Sequence, residues 1–134
     1  MRKLSVLSIF FIIFLLFTIT LNSVEGHEIS PNFIALKSHI NNLKIENNTA
    51  TCTGSATCLN NYTVKITVYL ERYVNNNWIS VNNWSGDKDI YSYVNKTSSV
   101  SSGYKYRVKS IATVYDKNNN VVENPVLYSD VVDN

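Results

Sequence analysis

From Tyr62 to Val74 apolar and polar residues take turns: Tyr62, Val64, Ile66, Val68 and Leu70 fall on one side, and Thr63, Lys65, Thr67, Tyr69, Glu71 and Tyr73 on the other. Successive side chains of an extended chain point to opposite faces, so a period of two predicts a β-strand with one core face and one wet face. Tyr104 to Tyr115 repeats the pattern, with Tyr104, Tyr106, Val108, Ser110, Ala112 and Val114 opposed to Lys105, Arg107, Lys109, Ile111, Thr113 and Tyr115. A third run, Thr49 to Leu59, sets Ala50, Cys52, Gly54, Ala56 and Cys58 against Thr51, Thr53, Ser55 and Thr57. Its inward residues are small, which permits close approach of an opposing sheet.

Weaker segments fill the intervals. Ile40, Leu43 and Ile45 predict a short, irregular first strand ending at the turn-forming Glu46-Asn47-Asn48. Asn60-Asn61 links the small-residue strand to the central one, and Asn75-Asn76-Asn77 turns the chain into a strand from Trp78 to Trp84. Residues 85–89 read as a loop, Ile90 to Val94 as a short strand, and Thr97 to Gly103 as a Ser-rich connection. After a hairpin loop at Asp116 to Asn120, Val121-Val122 resumes and Val126 to Val132 forms the last strand behind Pro125. No window holds apolar spacing at helical period. About seven short strands between Asn, Ser and Gly turns predict an all-β fold, an antiparallel two-sheet sandwich.

The first residues have a different purpose. Arg2 and Lys3 precede an almost unbroken apolar run from Leu4 to Leu21, and Val24-Glu25-Gly26 suits signal peptidase with a cut before His27. This divides the chain into a signal peptide (1–26), an N-terminal arm (27–35) containing Pro31, and one sandwich domain (36–134), and it predicts a secreted protein. An uncleaved leader is the one route to a membrane, because its 18 apolar-run residues reach the lower limit for a span. Without the leader, ten Lys or Arg face nine Asp or Glu. A net charge near +1 cannot neutralise a row of phosphates, so no nucleic-acid partner is expected.

Several stretches also resemble known proteins. The order Trp78-Ile-Ser-Val to Trp84, then Ser101-Ser-Gly-Tyr-Lys-Tyr-Arg-Val108, then Tyr128-Ser-Asp resembles immunoglobulin-like and fibronectin type III-like sandwiches. In such folds a Tyr near the start of the penultimate strand braces the corner below it, a role the resemblance gives to Tyr104 or Tyr106. The leader, Ala-Thr-Cys-Thr-Gly at 50–54, Tyr-Leu-Glu at 69–71, Trp-x-x-Val-x-x-Trp at 78–84 and Gly-Tyr-x-Tyr-Arg-Val-Lys at 103–109 together resemble, more narrowly, small secreted single-domain proteins of Gram-positive bacteria with no assigned function. That resemblance covers residues 36–132, and its motifs are strands and turns, so it implies fold and compartment only.

Reactive chemistry finds little support. On one straight strand Cys52 and Cys58 would stand about 20 Å apart, beyond the reach of a disulfide, so a bridge requires a reversal at Gly54-Ser55 and buried free thiols are the other reading. Two Cys and two His without ligand spacing do not compose a zinc site, and no cofactor is expected. Asp116 to Asn120 begins like a calcium loop, but Val121 stands where the turn needs Gly and Leu127 where a bidentate Glu should be. Asp87 and Asp89 read as a solvated turn. Asn47, Asn61, Asn83 and Asn95 start sequons that matter only in a eukaryotic source. No nucleophile, base and acid converge in the pattern, so the expectation is a protein that is not an enzyme.

What remains is a surface. Tyr69 and Tyr73 share the wet face of the central strand, with Trp78 and Trp84 on the neighbouring strand. Outward Trp rings would complete an aromatic platform for a protein or a polysaccharide of the cell surface; inward rings would be core. The expected function is therefore a secreted, non-enzymatic recognition module, the alternative being a bacteriocin-like effector or inhibitor.

Overall fold

The computed structural model describes residues 33–134; the leader and arm residues 27–32 lie outside the described residues. Nine strands form two antiparallel sheets, and no helix occurs among the described residues. The smaller sheet has the order β1 (Leu36–Glu46), β2 (Thr49–Cys58), β5 (Tyr91–Ser99). The larger runs β4 (Asn77–Ser85), β3 (Thr63–Val74), β6 (Lys105–Tyr115), with β7 (Val121–Glu123), β8 (Val126–Tyr128) and β9 (Val132–Asp133) laid in sequence along the far edge of β6.

The period of two becomes the packing. Val64, Ile66, Val68 and Leu70 from β3 meet Val108, Ala112 and Val114 from β6 and the small residues of β2, all buried. Gly54 marks a close approach of the sheets, since a Cβ placed there would lie 2.5 Å from Val68 Cγ2. Tyr106, 1% exposed, donates from its hydroxyl to the Ser101 carbonyl at 2.9 Å and accepts from the Ser101 amide at 3.0 Å. Tyr104, the other candidate for that corner, is exposed, with the Arg72 guanidinium 4.6 Å above its ring.

Two hairpins turn on asparagine pairs. Asn47 and Asn48 have φ of +49° and +56°, and Asn75 and Asn76 have +50° and +64°. Two successive left-handed residues make the tight turn whose twist matches that of the flanking strands, and Asn tolerates that region better than other side chains with a Cβ.

Three expectations are revised. The first strand is 11 residues long rather than a short irregular one, because both its ends are tied: Asn47-Asn48 closes one, and Glu123 accepts the amides of Ile34, Ala35 (3.0 Å) and Leu36 (2.7 Å) at the other. β5 extends to Ser99 through polar residues, since pairing of Thr51, Ala50 and Thr49 with Thr97, Ser98 and Ser99 satisfies its backbone. The expected last strand is broken after Tyr128, where the Ser129 hydroxyl accepts the Val108 amide at 2.8 Å in place of a ladder carbonyl.

One polar cluster joins the sheets. His39 Nε2 and Asn41 Nδ2 each lie 2.8 Å from the Ser110 hydroxyl, and Asn41 also donates to the Leu127 carbonyl at 3.0 Å. Burial holds the His39 imidazole down to about 4, well below its ordinary 6.5. The neutral ring is the one the fold accommodates. The contribution of His39 is therefore fully present above pH 6.5 and is lost as pH falls towards 4, where the unfolded chain takes up a proton that the native chain refuses. In a pH series of thermal melts, the native protein should lose Tm between pH 6.5 and 5 more steeply than His39→Gln; parallel curves would show that His39 carries no linkage.

Candidate functional site

The wet face of the larger sheet is built from four strands. β3 contributes Tyr69, Glu71 and Tyr73; β4 places Trp78 opposite Tyr73; β6 contributes Lys105, Arg107 and Lys109. Tyr128 of β8 stands opposite Lys109. The Tyr73 and Trp78 rings are 5.1 Å apart and tilted by 51°, one of the favoured arrangements for an aromatic pair.

Arg107 fixes the centre of this face. Its guanidinium lies 4.3 Å from the Trp78 ring and 4.1 Å from the Tyr128 ring, and its Nε donates to Glu71 Oε2 at 2.7 Å. A cation over a ring face is attracted by the ring quadrupole, and a planar guanidinium stacks as well as it pairs. Glu71, expected on the wet face, is on it but is only 7% exposed. Lys109 continues the row, 5.4 Å over the Tyr69 ring. An open groove of about 400 Å³ lies at the end of the row, lined by Tyr73, Trp78, Lys105 and Val131.

Of the four aromatics expected to form a platform, the fold brings together Tyr69, Tyr73 and Trp78 and sends Trp84 to the other side. Trp84 stands opposite Val68 and packs against the core. Trp78 and Trp84 are six residues apart, which on a regular strand puts both on one face. The pairing slips by one between Leu70–Asn82 and Glu71–Ser80, leaving Val81 as an extra residue in β4. A one-residue bulge inverts every side chain beyond it, and that inversion separates the two rings.

Lys105, Arg107, Lys109 and Tyr128 are the members of this face that sequence reasoning did not assign to it. Their signal was available in part, since Lys105, Arg107 and Lys109 share the wet parity of β6. The register that sets Arg107 beside Glu71 was not.

The other candidate positions are occupied by structure. Cys52 and Cys58 are buried free thiols on one uninterrupted strand; burial pushes Cys52 up to about 11 and raises Cys58 as well, so neither is poised as a thiolate. The Asp116 carboxylate turns onto its own loop, accepting the Asn118 and Asn120 amides at 2.8 and 2.9 Å, and these bonds lower its pKa. Asp89 accepts the Ile90 amide at 2.7 Å, while its backbone pairs with Val64. Among the described residues no three His, Cys, Asp or Glu side chains gather as metal ligands would.

Fold and face together define a two-sheet antiparallel β protein with an aromatic and cationic outer surface. Comparison with protein-family models, with curated proteins and with solved structures gives no match.

Proposed function

We propose that this chain is a secreted, non-enzymatic recognition module of immunoglobulin-like or fibronectin type III-like type, which binds its target through the outer face of the larger sheet. The observation that carries the reading is the pair of exposed Tyr73 and half-buried Trp78 on the outer face, beside an Arg107 already held by Glu71 and two rings. Aromatic side chains fixed before binding lose little entropy on contact, which is what makes such rings effective anchors. Three strands facing a larger sheet, and the bonds of Tyr106 to the Ser101 backbone, support the assignment of type. Export is supported by the basic head, apolar run and Val24-Glu25-Gly26 of the leader.

The test is retention of the secreted domain on immobilised cell-envelope material. Tyr73→Ala should weaken retention about tenfold, as expected for losing one anchoring ring. Tyr91→Ala, on the exposed face of the smaller sheet, should leave it unchanged. Equal retention of Tyr73→Ala and the unaltered protein would end this reading.

A further inference from the structure

We propose that the target is an anionic sugar polymer, bound with its rings against Tyr73 and Trp78 and its negative groups on Lys105 and Lys109. This deepens the recognition reading and rests on it.

The first argument is the division of labour among the cations. The Arg107 charge is neutralised by Glu71 and its plane is covered by Trp78 and Tyr128, so it stiffens the surface. Lys105 and Lys109 have no acidic partner, although Lys109 lies 5.4 Å over the Tyr69 ring. The only side-chain ion pairs among the described residues are Arg107–Glu71 and Lys44–Glu46, and Asp133, opposite Lys105 in register, does not pair with it. Two ammonium groups are left available on one side of one strand.

The second argument is spacing. Four residues of strand separate Lys105 from Lys109 by about 13 Å, with Trp78 and Tyr128 flanking the interval. A single small anion cannot reach both. A polymer carrying a negative group on successive units can.

The third argument is the groove. Its roughly 400 Å³ is at the small end of ligand sites, and its lining combines two aromatic rings with Lys105 and Val131. That suits a ring-sized unit with an apolar face and a charged substituent. Asn75, Asn76 and Asn77 are exposed at the same end of β3 and β4 and offer amides to hydroxyl groups. A protein partner would need about 800 Å² with an apolar centre, whereas the centre of this face is the Glu71–Arg107 ion pair.

Carboxylate and phosphate groups meet Lys with the same chemistry, so the experiment separates them. Affinity electrophoresis would compare polygalacturonate with its methyl ester and phosphomannan with mannan, using the unaltered protein, the double variant Lys105→Gln/Lys109→Gln, Tyr73→Ala and Tyr91→Ala. Expected is retardation by at least one charged polymer and not by its neutral counterpart. The double Lys variant should bind about tenfold more weakly and lose most of its salt dependence. Both Lys positions are on the wet face of β6, so the variant keeps the core, and a matching thermal melt confirms it. Equal retardation by charged and neutral polymers, untouched by the Lys substitutions, would overturn the anionic assignment while leaving the aromatic face in place. No retardation by any of the four, with envelope retention still lost in Tyr73→Ala, would overturn the sugar assignment. Envelope retention indifferent to Tyr73→Ala would remove the face altogether.

Discussion

Alanine in place of Tyr106 is expected to lower the free energy of unfolding by about 3–5 kcal/mol, the cost of removing a buried aromatic ring from a packed site. The ring is 1% exposed, and it is the largest of the fully buried side chains among the described residues. Its hydroxyl holds both the amide and the carbonyl of Ser101, which closes the connection between β5 and β6. Tyr106→Phe separates the two roles. It keeps the ring and leaves two backbone groups short of a partner, so it should cost about 1–3 kcal/mol. Chemical denaturation should show midpoints in the order native, Phe, Ala with a common slope, because the surface exposed on unfolding hardly changes. Since domains of this size hold about 5–15 kcal/mol in total, the Ala variant should be marginal at physiological temperature. A Phe variant as unstable as the Ala variant would assign the whole effect to the Ser101 bonds; no loss in either would refute the brace.

Gly54→Ala should destabilise as well, by about 1–3 kcal/mol, although Gly within a strand is ordinarily a weakness that a side chain improves. The sign follows from contact. The new Cβ would meet Val68 Cγ2 at 2.5 Å and Ile66 Cγ1 at 3.4 Å. Val68 is wholly buried and its β-branched side chain is restricted at χ1, so it has little freedom to swing aside. The two sheets must part or Val68 must strain. Combining Gly54→Ala with Val68→Ala should therefore cost less than the sum of the single changes, a coupling measurable in a double-mutant cycle. Additive losses would mean that the sheets do not close on this residue.

Both predictions begin in features that the chain displays without any structure. The parity of Tyr106 with Val108, Ala112 and Val114 sends it inward, and the small face from Ala50 to Cys58 announces a close neighbour. Neither identifies the neighbour. Ser101 and Val68 emerge as partners only when β6 turns its corner and β2 crosses β3. The clasp of Glu123 on the Ile34–Leu36 amides spans up to 89 residues and leaves no trace in local pattern. β5 outruns the alternation that predicts it because its later residues are polar, and ladder hydrogen bonds do not depend on side-chain polarity.

Local pattern determined where the long strands run, which of their faces turn inward and where Asn pairs reverse the chain, because side-chain alternation and left-handed turn geometry are properties of a few adjacent residues. Tertiary structure decided how the wet faces combine. The bulge at Val81 put Trp78 outside and Trp84 inside, and the pairing of β3 with β6 set Glu71 beside Arg107. Register is a relation between distant strands, fixed by the packing of the whole core, and a shift of one residue is enough to change which aromatic rings meet the solvent.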